Sequence, residues 1–93
     1  MNKFVFLFSG LRVPESEAGA AWMAWFSTIG DQLVDNGNPF GAAVRVTGTT
    51  SAAIENALLG YAIIGAESMD AAQKLASTCT VADSVLVYEA LPM

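Results

Sequence analysis

The chain has 93 residues, 54% of them apolar and only 14% charged, with nine acidic and four basic groups for a net charge of −5. That length suits one domain, taken as 1–93, and is too short for two. A typical soluble domain is roughly one quarter charged, so this surface holds few ions, and its acidic excess argues against nucleic acid, whose phosphates require a basic patch.

The basic residues Lys3, Arg12, Arg45 and Lys74 are scattered and form no cluster. The single cysteine, Cys79, has no internal disulfide partner, which fits a reducing cytoplasm. Lys3 precedes an apolar run from Phe4 to Phe8 that stops at Ser9-Gly10. A signal peptide needs an apolar core of about seven to fifteen residues, and a membrane span needs about 20. A cytoplasmic, soluble protein with no membrane partner is expected.

Lys3 to Ser9 reads as a strand, rich in aromatic and β-branched residues and closed by Ser9-Gly10. Phe4, Phe6 and Phe8 point to one face and Val5 and Leu7 to the other, so both faces are apolar. Pro14 ends the following loop, Ser16 is the candidate N-cap, and Glu17 falls in the first turn of a helix. Trp22, Trp25, Phe26, Ile29 and Leu33 recur at intervals of three and four, which is one helical face. Asn36-Gly37 is the expected stop, with Pro39 soon after.

Ala43 to Thr47 alternates Val44 and Val46 with Arg45 and Thr47 and reads as the second strand of the sheet. Gly48-Thr49-Thr50 marks a turn or bulge, and Ser51 to Glu55 is a candidate edge extension. The pairing of Thr47 to Gly60 stays open, because its apolar pattern has no clean period. Tyr61 to Ala66 is a further strand with two apolar faces. Ser68 caps a second helix whose buried face comprises Ala72, Leu75, Ala76 and Cys79. Ser84 to Leu91 is the last strand.

The order is βαββαβ, an α+β, ferredoxin-like arrangement: a four-stranded antiparallel sheet with two helices on one face. The other face is apolar and uncovered. A homodimer stacked through that open sheet face is the expected remedy.

Lys3-Phe4-Val5-Phe6-Leu7-Phe8-Ser9-Gly10 resembles the first strand of YCII-related (YciI-like) proteins. Trp22 to Phe26, Gly30 to Gly41, Gly60 to Ile64, Glu67 to Ala72, and Ser84 to Glu89 with Pro92-Met93 are similar too, in the same order along nearly the whole chain. The resemblance implies a dimeric α/β barrel with a small-molecule cleft between helices and sheet. It also implies, for some relatives, catalysis by a histidine of the first helix and an aspartate of the loop beyond. This chain has no histidine: Ala20 falls near that position, and Phe40 to Val46 holds no carboxylate. The Asp-Gly-Pro-Phe loop of another branch is likewise missing from Thr47 to Gly60.

With no histidine and one cysteine, a metal site is not expected. Neither GxGxxG nor GxxxxGK[ST] occurs, so no nucleotide cofactor is expected, nor any other cofactor. Cys79 lacks an activating base and reads as a small core residue. Asp31 and Asp35, four apart at the end of the first helix, are either a carboxylate pair at a cleft or two solvated charges, the second being the simpler reading. Trp22, Trp25 and Phe26 form core, and one of them borders a pocket in the alternative reading. Arg45 either grips a ligand carboxylate or stands solvated at a dimer rim, and Arg12 has the same two readings. Tyr61 and Tyr88 either offer a phenol to a ligand or fill an interface. Asn38-Pro39-Phe40-Gly41 is either a pocket lip or a tight turn.

Three functions follow. The preferred one is a homodimer binding a small organic molecule in a cleft lined by Trp22, Phe26, Phe40 and Tyr61, with Arg45 or Asn38 as polar anchor. No catalytic residue is assigned, and the reading leans away from an enzyme. One alternative is acid–base isomerase or lyase chemistry on a small organic acid, using Asp31, Asp35, a tyrosine or water. The other is a structural or partner-binding dimer without a ligand.

Overall fold

The computed structural model describes residues 1–55 and 58–93. Residues 56–57, part of the segment whose pairing the sequence leaves open, lie outside the described residues. Among the described residues the order is β1 (Asn2–Leu11), α1 (Glu15–Ile29), a 3₁₀ turn (Gly30–Gln32), β2 (Leu33–Asp35), β3 (Val44–Thr47), β4 (Thr50–Ala53), β5 (Gly60–Ala66), α2 (Met69–Ser77) and β6 (Ala82–Ala90). The main sheet runs β2-β5-β1-β6 with every neighbouring pair antiparallel. With the β3–β4 hairpin set aside, the chain is βαββαβ and compatible with a ferredoxin-like arrangement.

Alternation along β1 sorts its side chains as the sequence predicts. Phe4, Phe6 and Phe8 are buried, while Val5 and Leu7 are only partly so. The register sets Phe4 opposite Ile64, Phe6 between Ala62 and Val87, and Phe8 between Gly60 and Val85. Both helices cover this face. Trp25 of α1 packs its ring 6.4 Å from Phe6 and 5.6 Å from Phe8, and Ala72 of α2 is fully buried in the same cluster. The indole N–H of Trp25 donates to Thr78 Oγ1 at 2.9 Å, so the buried ring satisfies its one polar group and links α1 to the end of α2.

The other face carries Val5, Leu7, Ile63, Leu86 and Tyr88, brought side by side by the registers Val5 with Ile63 and Tyr88, and Leu7 with Leu86. Leu86 is 42% and Tyr88 58% exposed. No described element of the chain covers them.

The first helix departs from expectation at both ends. It starts at Glu15, with Pro14 rather than Ser16 at the cap and no side-chain cap bond. Proline's fixed φ suits this position and its missing N–H costs nothing there, so the helix begins at once, with Glu15 and Glu17 at the positive end of the dipole. Glu17 N–H donates to Pro14 O at 2.8 Å. It ends at Ile29, because Gly30 takes φ +63° and ψ −128°, which turns the chain out of the helix and which glycine adopts without a Cβ penalty.

Leu33 therefore lies in a strand and not on the helical face. Asp31 sits in the 3₁₀ turn and Asp35 at the end of β2, so the two carboxylates share no helix face.

The second strand of the main sheet is the short β2, not Ala43 to Thr47. Val44–Thr47 instead pairs with Thr50–Ala53 as a two-stranded sheet, with Val44 opposite Ala53 and Thr47 opposite Thr50. All eight of its residues are exposed. Gly48, at φ +62°, makes the turn that the sequence marks.

Later elements follow expectation closely. Ser68 caps α2, its hydroxyl accepting from Ala71 N–H at 3.1 Å. The helix stops at Ser77, so buried Cys79 lies just past it, in the turn toward β6.

Candidate functional site

A cavity of about 230 Å³ opens at the end of the sheet, between α1 and the segment that continues from β2. It is built from three directions. Phe8 of β1 supplies the sheet side, Trp22 and Phe26 of α1 the helix side, and 36–39 with 59–61 the rim.

The helix side follows from spacing. Trp25 and Ile29 turn fully inward, whereas Trp22 and Phe26, one helical turn apart, are only partly buried. Trp22 and Phe26 stack with centroids 6.1 Å apart and 23° between planes, and Phe8 meets Trp22 edge-on at 4.6 Å. The three rings form one aromatic wall. The aromatic load of this helix thus divides into a core residue, Trp25, and two cavity residues.

The rim depends on two glycines. Gly37 has φ +67°, and a Cβ there would collide with the carbonyl oxygen of Tyr61. A Cβ on Gly60 would stand 2.7 Å from Asn38 O and 3.1 Å from Pro39 Cα. Bare backbone on both segments lets them approach: Phe40 N–H donates to Leu59 O at 2.8 Å, Tyr61 N–H to Asn38 O at 3.3 Å, and Leu59 N–H to Phe8 O at 2.7 Å. Asp35 accepts from Gly37 N–H through Oδ1 at 2.8 Å, which holds the turn into the rim.

The polar groups of the rim are amides and a phenol. Asn38 Nδ2 donates to the Tyr61 hydroxyl at 3.4 Å, and Asn36 is also part of the lining. Phe40 stacks on Tyr61 with centroids 5.6 Å apart and 19° between planes.

Of the six residues read from the sequence as ligand contacts, Trp22, Phe26, Asn38 and Tyr61 come together around this cavity. Phe40 packs on Tyr61 but is not part of the lining. Arg45 stands on the exposed β3 strand opposite Ala52, apart from the cavity. Arg12 lies 4.0 Å from Asp83, with both side chains largely exposed, so it is a surface pair worth little. Sequence reading missed Phe8, hidden in a strand that is apolar on both faces, and Gly37, taken for a helix stop. Its φ of +67° and the collision a Cβ would make with the Tyr61 carbonyl together explain why glycine stands there.

A second, shallower groove of about 640 Å³ runs between α2 and β6, past Arg12, Gln73 and Asp83. Among the described residues no three His, Cys, Asp or Glu side chains stand together as metal ligands, and no helix is long and apolar enough to cross a membrane. No family model, no curated protein and no solved structure matches this chain.

Proposed function

We propose that this chain is a YCII-like domain that works as a homodimer and binds a small organic molecule in the cavity between α1 and the sheet, without the His–Asp pair of its catalytic relatives. The observation that carries the reading is the convergence of Trp22, Phe26, Asn38 and Tyr61, which come from a helix, a turn and a strand, on one aromatic-walled cavity. Small-molecule sites have this composition, an apolar lining with a few placed polar groups. The barrel-like dimer is supported by the open sheet face, where Leu86 and Tyr88 stand in water beside Val5, Leu7 and Ile63. Tyr61, opposite Leu7 in the register, belongs to that face and is also one of the residues that line the cavity. The alternative of acid–base chemistry is supported less, because Asp35 is engaged in holding the Gly37 turn and Asp31 sits apart in the 3₁₀ turn. A cytoplasmic location accords with the lone thiol of Cys79.

The test is a fragment screen by two-dimensional amide NMR on the isotope-labelled protein. Fragments that bind are expected to move the Asn38 side-chain amide and the backbone N–H signals of Gly37 and Tyr61. Fragments that bind only along α2 and β6 would contradict the assignment.

A further inference from the structure

The electrostatics of the cavity restrict its ligand more sharply than its size does. Every described side chain in its lining is neutral, and the polar ones, Asn36, Asn38 and Tyr61, can each donate and accept. The four basic side chains are placed elsewhere. Lys3 lies at the opposite end of β1 from Phe8, Arg12 pairs with Asp83, Arg45 is on the hairpin, and Lys74 is in the last turn of α2. Asp35, the nearest carboxylate in sequence, accepts from Gly37 N–H. An anionic ligand would therefore lose water against aromatic rings without gaining a counter-ion, which is the costly way to bury a charge, and a cation would gain ring faces but no carboxylate to pair with. An anion would also meet the repulsion of a net charge of −5.

Shape adds a second restriction. Trp22 and Phe26 offer nearly parallel ring faces, and 230 Å³ amounts to about eight water volumes at roughly 30 Å³ each. That space suits one or two fused rings. Asn38 Nδ2 donates to the Tyr61 hydroxyl at 3.4 Å, which leaves Asn38 Oδ1 as an acceptor and the Tyr61 O–H as a donor side by side.

We infer that the cavity takes an uncharged, flat, one- or two-ring compound whose edge carries both a donor and an acceptor, as a lactam or primary carboxamide does. This rests on the binding reading above and narrows it. It also separates this chain from handlers of small organic acids.

The probes are a matched set: naphthalene carboxamide, naphthalene carboxylate and naphthylmethylammonium, titrated into the full chain and followed by the amide signals of Gly37, Tyr61 and the Asn38 side chain. The carboxamide is expected to move these signals and to bind at least about tenfold more tightly than either ion. Asn38→Ala is expected to weaken the carboxamide by about tenfold, with the dispersed spectrum retained. An ion binding at the same signals as tightly as the carboxamide would overturn the neutral-ligand inference and leave the cavity as a binding site. Unchanged carboxamide affinity in Asn38→Ala would overturn the polar-edge part. Failure of all three probes to move these signals at millimolar concentration would overturn both this inference and the binding reading on which it rests.

Discussion

Gly37 and Gly19 are the same residue type under opposite constraints. Gly37 is held at φ +67° with its missing Cβ directed at the Tyr61 carbonyl, whereas Gly19 sits exposed inside α1, where an added Cβ would meet nothing within 4 Å. Gly37→Ala is expected to destabilise the protein by more than about 2 kcal/mol, since it adds both backbone strain and a collision. Gly19→Ala is expected to stabilise it by about 0.5–1 kcal/mol, the helical preference of alanine over glycine. Urea denaturation of the two variants reads both signs, and a destabilised Gly19→Ala or a neutral Gly37→Ala would contradict the geometry. The aromatic part of the site was legible in the sequence because Trp22, Trp25 and Phe26 fall at helical spacing. Sequence reading names Trp22 and Phe26 for the cleft and not Trp25, although the spacing alone does not fix that division, which depends on how the helix sits on the sheet.

At the scale of elements, strand identity was the hardest feature to read. Val44, Arg45, Val46 and Thr47 alternate well and suit a sheet, yet they form a hairpin outside it. The true sheet strand, Leu33–Asp35, is three residues long and follows a helical pattern that Leu33 happens to continue. Periodicity cannot separate these cases, because one residue at the right interval is no evidence of where the backbone turns. Gly30 carried the information, through a conformation that only the structure displays. Longer elements, β1, β5, α2 and β6, were legible because each has several residues in phase and a cap or turn at its boundary. Since every residue of β3 and β4 is exposed, replacing Val44–Ala53 by a short glycine–serine linker should change stability by only about 1 kcal/mol, mostly through loop closure. A loss of several kcal/mol in urea denaturation would mean that the hairpin contributes packing to the folded unit.

For the whole molecule, the two faces of the sheet explain why a second copy is expected. One face is closed by Trp25, Ile29 and Ala72, while the other leaves Leu86 and Tyr88 in water next to Val5, Leu7 and Ile63. A contiguous apolar surface of this kind is the ground on which self-pairing by a twofold axis is proposed. Leu86→Glu places a charge on that face without touching the core, since Leu86 is 42% exposed. It is expected to give a folded monomer, read by sedimentation velocity beside circular dichroism, whereas a dimer as tight as the parent would exclude this face as the contact.

Native mass spectrometry of the purified chain reads assembly and occupancy in one spectrum, and the proposed binding homodimer stands or falls on both. A mass of twice 9.7 kDa is expected, carrying added small-molecule mass that Asn38→Ala and Trp22→Ala diminish. A monomer, or added mass that both substitutions leave untouched, would refute it.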